Sequence, residues 1–567
     1  MVRTSRSLLA RSGVLLVSLM LVFGVTSAVA EGPARVSAQF LDHLSQSVVL
    51  RYYAAHPDQA PSRIRQAIDK ISGMHSPRGR NVNSCTSNAN KDVFNCDIFG
   101  LPQNEESMAA CPTNDNLVLE GTNDYRGLID PEGNTTGWHW SIDGGHSVRN
   151  EGLLPPVALT KIASPHTVPS GGDPVDFIPP GCDSVYAASL AYDPADPFGQ
   201  PNGLGLYKST PEILSTCQPF LDNGATNPAC WPVRSAVAQT EASDFIDKPW
   251  MFVGGGYVWA TYSDFVNSSS APLGYSSASI KAVRCTLDLQ TCTEPIQIST
   301  VDQDVQFSDV TVGPDGRTYI TWARIDGELN PREFPEGQVF TIKYRSETAP
   351  GSGAFGPEHL VQVVPNAIPF GGFLHANDFR IATYPKSDVV MLNGHPRTFV
   401  AYDECTTRLF GSICEEPQIK LTYSDDDGAT WSPPIIESSG GDNYFPSISA
   451  DRTYTTNNLA LAWYTNSYDN QFHNQQDTVA TSVNPLTGQS RGIKRLTSSS
   501  NETEADPLFG GSFIGDYIEA VLVRNKLWVG ANENYRKVPL FGGVLNAANQ
   551  PVIPVNQQDN YVFLTAL

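Results

Sequence analysis

The octapeptide Ser424-Asp425-Asp426-Asp427-Gly428-Ala429-Thr430-Trp431 fits Ser-x-Asp-x-Gly-x-Thr-Trp at every specified position. Each residue type suits a tight hairpin end: Ser and Asp side chains bond to nearby backbone, Gly tolerates φ > 0, and Trp supplies an apolar plug. A degenerate second copy, Ser141-Ile142-Asp143-Gly144-Gly145-His146-Ser147-Val148, keeps Ser141, Asp143, Gly145 and a hydroxyl, with Val in place of the aromatic. Such a motif staples a hairpin and catalyses nothing. Its recurrence within one chain predicts a repeat architecture.

A two-strand unit does recur. The first member is rich in aromatic and β-branched residues: 117–124, 185–192, 257–264, 318–324, 398–403, 459–466 and 527–534. The second follows at 138–141, 205–209, 280–285, 341–346, 419–424, 478–482 and 561–565. Small antiparallel sheets cannot bury both faces alone, so repeated ones stack around an axis and protect their edges by closure. Seven units predict an all-β, seven-bladed propeller; six blades follow if the cysteine-rich second pair is an insertion. A two-sheet sandwich gives no reason for seven matching units. Ahead of the repeats, apolar residues at helical spacing from Val36 to about Gly73 predict a short helical hairpin interrupted near Pro61, followed by a Ser/Asn/Arg-rich linker over 75–92.

Residues 1–30 carry Arg3, Arg6 and Arg11, an apolar run from Gly13 to Val25 and the small-residue pattern Ala28-Val29-Ala30, as in an export signal. The expected divisions are therefore a signal peptide over 1–30, a helical prefix and linker over 31–93, and the β region over 94–567. The ten cysteines suit an oxidising destination. Cys285 with Cys292, Cys85 with Cys96, Cys217 with Cys230 and Cys405 with Cys414 are plausible short-loop pairs. The spacing of a structural zinc site is missing. A formal charge of −22 argues against nucleic acid as a partner and suits a soluble exported protein, or one whose carboxylates hold a cation such as Ca²⁺. No segment after the signal is apolar over a membrane-spanning length. A secreted monomer needing no cofactor is expected.

The octapeptides resemble the Asp-box of sialidase-superfamily propellers. The stretches Leu101-Pro102-Gln103-Asn104-Glu105, Asn123-Asp124-Tyr125-Arg126, Asp247-Lys248-Pro249-Trp250, Gly313-Pro314-Asp315-Gly316, Phe379-Arg380 and Gly515-Asp516-Tyr517 resemble those of exported bacterial sialidase-superfamily proteins with Asp-box repeats. The resemblance spans about residues 94–567. It implies a propeller and export; because propellers with this hairpin include both enzymes and binders, it implies activity only weakly.

A sialidase of that kind needs three arginines for the substrate carboxylate, a Tyr nucleophile with a Glu partner, and an Asp acid/base. Phe379-Arg380-Ile381-Ala382 resembles the family's Phe-Arg-Ile-Pro motif, but it lies at the fifth unit instead of the first, and Ala382 replaces the Pro. Arg126 and Arg324, at strand ends, are the candidates to join Arg380. Tyr517 with Glu519 is the candidate nucleophile and base, on one strand face if that segment is an innermost strand. The carboxylates Asp173, Asp247 and Asp516, with Lys248, lie where the chain enters successive units, and Asp124 ends the strand over 117–124. They are expected either to converge on the channel mouth as a polar pocket or Ca²⁺ site, or to cap their own turns. The expected function is recognition of an extracellular glycan or protein, with sialidase-type hydrolysis and a purely structural or assembly role as the competing classes.

Overall fold

The computed structural model describes residues 41, 44–72, 93–96, 101–194, 198–327, 337–539 and 554–567. The signal-peptide reading, the linker and Cys85 of the Cys85–Cys96 pair lie outside these residues.

Among the described residues, seven antiparallel sheets of three or more strands follow one another along the chain, and in each the strands are added in sequence order. Their first strands are Gln103–Ala110, Val175–Phe177, Asp244–Gly254, Val305–Val312, Lys386–Leu392, Asn443–Ala450 and Glu519–Val523. Six sheets have four strands along this path; the seventh has three, and Val93 forms a bridge to Tyr561 on its outer strand. All seven anticipated strand pairs are the second and third strands of these sheets, directly paired. The cysteine-rich second pair is the middle of a four-stranded sheet.

Each first strand packs against the first strand of the next sheet, and the seventh packs against the first. The sheets meet through side chains. Val390, Phe399 and Leu421 of the fifth bury against Ile448, Leu461 and Trp463 of the sixth, while Met108 and Val118 of the first bury against Val521, Trp528 and Val562 of the seventh.

The two octapeptides adopt the same bonding. Gly428 N–H donates to Ser424 Oγ (2.9 Å), and Thr430 N–H and Oγ1 donate to Asp426 (2.8 and 2.6 Å). Gly145 N–H donates to Ser141 Oγ (3.0 Å), and Ser147 N–H and Oγ donate to Asp143 (2.9 and 2.6 Å). Both motif glycines have positive φ, 87° and 90°. Each hairpin also clips its sheet to the preceding one: Trp431 packs edge-on against Tyr344, and Trp528 Nε1 donates to Gly144 O at 3.0 Å.

Disulfides join Cys217–Cys230, Cys285–Cys292 and Cys405–Cys414 as anticipated, and Cys111–Cys182, which links the end of the first sheet's first strand to the second sheet. The helical hairpin is present as α1 (Gln46–Ala55) and α2 (Ser62–Ser72), broken at Pro61, which cannot donate within a helix. Ser47 to Tyr52 of α1 are all buried. Leu50, Ile64 and Ile68 pack with Leu101, Tyr125, Phe509 and Phe513, so the hairpin lies on the segments that lead into the first and seventh sheets.

Candidate functional site

A local irregularity builds the site. The register shifts near the start of the first strand in the first, third, fourth and sixth sheets, as at a β-bulge. At these points Glu105, Lys248, Phe307 and Phe445 take positive φ, as does Asp173 just before the second sheet's first strand. Non-glycine residues rarely adopt this region, and it re-aims side chains away from ordinary alternation. The polar groups brought in by the bulges and the neighbouring lead-in segments are Glu105, Asp173, Asp247, Lys248, Arg380 and Asp516.

Asp516 is the electrostatic centre. Lys248 Nζ donates to it at 2.5 Å, and Arg380 holds it through Nε (3.1 Å) and Nη2. Burial works against the Asp516 charge, but Arg380 and Lys248 outweigh it and bring the carboxyl below its ordinary value. Asp247 has less help: burial dominates and raises it to about 7. Glu105 is pushed well above the carboxylate range, first by burial and then by the charges of Asp173 and Asp516.

This cluster is covered by the chain's own N-terminal segment. Ser45 N–H donates to Asp247 Oδ2 at 2.9 Å, Ser45 Oγ donates to Asp173, and Arg380 Nη1 donates to Leu44 O at 2.6 Å. Ser47 Oγ donates to Gly171 O at 2.7 Å, and Arg51 Nη2 donates to Gly133 O at 2.6 Å. Leu44 and Ser45 are fully buried.

Asp173, Asp247, Lys248, Arg380 and Asp516 are therefore brought together, whereas the other candidates are spent elsewhere. Arg126 lies in a short 3₁₀ turn, not at the end of a first strand, and is held by Asp124 and by Glu151 (3.1 Å). Arg324 is on a second strand, its side chain 38% exposed, paired with Asp326 at 2.7 Å. The three arginines each answer a different carboxylate of the protein itself. Asp516 and Tyr517 precede the strand that begins at Glu519, so strand alternation does not relate them. Tyr517 donates to Pro174 O at 3.1 Å, while Glu519 accepts from Ser107 Oγ (2.6 Å) and Met108 N–H (2.9 Å). Burial, with Glu105 and Asp173 nearby, pushes the Tyr517 phenol well up, opposite to what a nucleophile requires.

Sequence reasoning missed Glu105 as a site residue, and also Ser45, whose role depends on a contact 202 residues away in the chain. Among the described residues, no group of three or more His, Cys, Asp or Glu side chains is arranged to hold a metal ion. At the other ends of the first strands, the turns at 179–184, 254–256 and 312–313 and Tyr454 line a concavity of 490 Å³.

No protein-family model matches the chain, and no curated protein matches it. Solved structures similar to it include a Penicillium chrysogenum alpha-L-arabinanase complexed with arabinobiose (12% identity, 85% of this chain and 98% of that one, TM-score 0.38). A Hadza microbial sialidase matches at 10% identity over 70% and 75% of the two chains, with TM-score 0.38. An ulvan lyase matches at 7% identity over 84% and 96%, with TM-score 0.43. Likenesses at these identities and scores carry no argument about this chain.

Proposed function

We propose that the chain is an exported, seven-bladed Asp-box propeller that recognises an extracellular glycan or protein at its channel mouth and does not hydrolyse glycosides. The cyclic packing of seven first strands supports the blade count, and four disulfides support an oxidising destination.

One observation carries the preference for recognition over sialidase chemistry: Arg126, Arg324 and Arg380 are each neutralised by separate carboxylates. A guanidinium already bonded to an internal carboxylate has little left for a substrate anion, and arginines in different surroundings cannot grip one carboxylate together.

The test uses fluorogenic sialosides and a glycan array on the wild type and Arg380→Ala. Binding without turnover is expected. Turnover that disappears in Arg380→Ala would establish hydrolysis instead, and silence in both assays would favour an assembly role.

A further inference from the structure

Each of the seven sheets ends in an outer strand, and an uncovered outer edge is a template for pairing with another chain. Six of these edges are guarded. The outer strands of the third, fifth and sixth sheets have two residues each: Ile296–Gln297, Ile435–Ile436 and Lys494–Arg495. That of the first, Asn150–Leu153, lies under the short helix Pro211–Thr216, where Leu214 O accepts from Asn150 Nδ2 at 2.7 Å. In the second sheet Val233–Thr240 is packed by the strand Val157–Leu159, and in the seventh Asp559–Ala566 is bridged by Val93. The fourth sheet differs. Its outer strand, His359–Val364, has six residues, contains no Lys, Arg, Asp, Glu or Pro, and pairs with no further strand among the described residues.

A register shift decides what this edge presents. Leu360 pairs with Lys343 and Val363 with Thr341, so Val361 and Gln362 stand where the neighbouring strand has only Ile342, as at a β-bulge. Paired residues point to one face of a sheet, and Lys343 and Thr341 lie on the same face by alternation. Leu360 and Val363 therefore share that face in spite of their odd spacing. They are 51% and 43% exposed, whereas Val361 and Val364 are buried.

We infer that this edge is a self-association surface, on which two copies of the chain pair their His359–Val364 strands antiparallel about a two-fold axis normal to the sheet. In the register centred between Val361 and Gln362, Leu360 of each copy lies opposite the partner's Val363 on one face, so the exposed apolar pair is covered twice over by its own symmetry mate. The same register sets Glu358 beside the partner's Pro365. The Pro365 carbonyl accepts from Arg408 Nη2 at 2.8 Å, so an acid meets a base at both ends of the paired edges. A strand without carboxylates is also where two chains of formal charge −22 repel each other least. Six residues a side fall short of the roughly 20–30 of a standard interface, so the dimer is weak and depends on concentration. The two-fold axis reverses strand direction. The ends at which the first strands begin, with the Asp516 charge cluster, thus face opposite ways in the pair.

The test is sedimentation velocity on the full chain from about 5 to 300 μM, a span suited to a weak interface. Wild type should pass reversibly from monomer to dimer. Val363→Lys, a charge on the exposed edge, should raise the dissociation constant at least about tenfold. Ile436→Lys, on the two-residue edge of the fifth sheet, should leave it unchanged. Leu360→Lys is the alternative if Val363→Lys lowers the unfolding midpoint. Register is read by oxidative cross-linking of Leu360→Cys and Val363→Cys: the two variants mixed should cross-link readily, and each alone slowly, because like positions are diagonal across the pair.

A single monomeric species at every concentration, the state expected from sequence, would overturn the inference. So would a dimer that Val363→Lys and Leu360→Lys leave intact, since its contact would lie elsewhere. Cross-linking as fast in the separate variants as in the mixture would overturn the two-fold register.

Discussion

Gly428 shows what a single residue of the hairpin motif does. Its φ of 87° is unfavourable for any residue with a Cβ, and a Cβ there would run into the Tyr344 ring of the preceding sheet. Gly256 has a similar φ, 85°, but open space around it. Gly428→Ala should therefore lower stability by about 2–4 kcal/mol, combining backbone strain with overpacking, against about 1 kcal/mol for Gly256→Ala. Urea unfolding of the two variants gives the comparison, and equal losses would show that the contact with Tyr344 is unimportant. The motif was legible in the sequence because its chemistry is local: Ser424, Asp426, Gly428 and Thr430 bond within seven residues. The mouth was only half legible. Asp173, Asp247 and Asp516 could be placed at the starts of successive units, but Glu105 sits inside a strand whose eight residues are all buried, and alternation assigns such a charged residue to the outside.

The second and third strands of each sheet were readable because they are long and rich in aromatic and β-branched residues. The first strands were not, since Val175–Phe177 has only three residues and Gln103–Ala110 opens with a buried Gln-Asn-Glu-Glu run. Where first strands of neighbouring sheets pack together, buried polar residues are satisfied by one another, so the hydrophobic pattern fails there. The Cys111–Cys182 disulfide was hidden for a related reason, because it joins neighbouring sheets across 71 residues of sequence. It closes a longer loop than Cys217–Cys230, separated by 13, so chain-entropy reasoning gives it the larger effect. Replacing both Cys111 and Cys182 by Ala should cost roughly 4 kcal/mol, against roughly 3 kcal/mol for the Cys217/Cys230 pair. Denaturant midpoints of the two double variants test the order. A reversed order would mean that native-state geometry outweighs loop length.

For the whole molecule, many carboxyl groups are buried, and this sets the pH dependence of stability. Burial raises Asp247, Asp403, Glu437 and Glu519 to about 7, and Asp130, Asp442 and Asp506 to about 6. It also carries Glu105, Glu106, Glu120 and Asp176 well above their ordinary range. An acid whose folded pKa exceeds its unfolded value contributes stability that is complete below the unfolded pKa and is lost as pH rises through the folded one. These groups therefore favour the folded state at about pH 4 to 5 and withdraw that support between about pH 5 and 8. The formal charge of −22 acts in the same direction through self-repulsion at higher pH. Opposing them, Asp516, Asp143 and Asp451 are lowered and lose their contribution as pH falls below the ordinary carboxylate range. His139, lowered by burial to about 4, begins to oppose folding as pH falls through the ordinary histidine range. The raised acids outnumber these, so Tm should climb as pH is lowered from 8 to about 5 and fall again below about 4. Glu519→Gln should flatten part of the alkaline limb, because an amide keeps an acceptor for Ser107 Oγ and Met108 N–H without a charge to bury; the gain should be on the order of 2 kcal/mol at pH 8 and near zero at pH 4.5. A Tm that rises steadily from pH 5 to pH 8 would mean that the buried carboxyls are charged and solvated in solution.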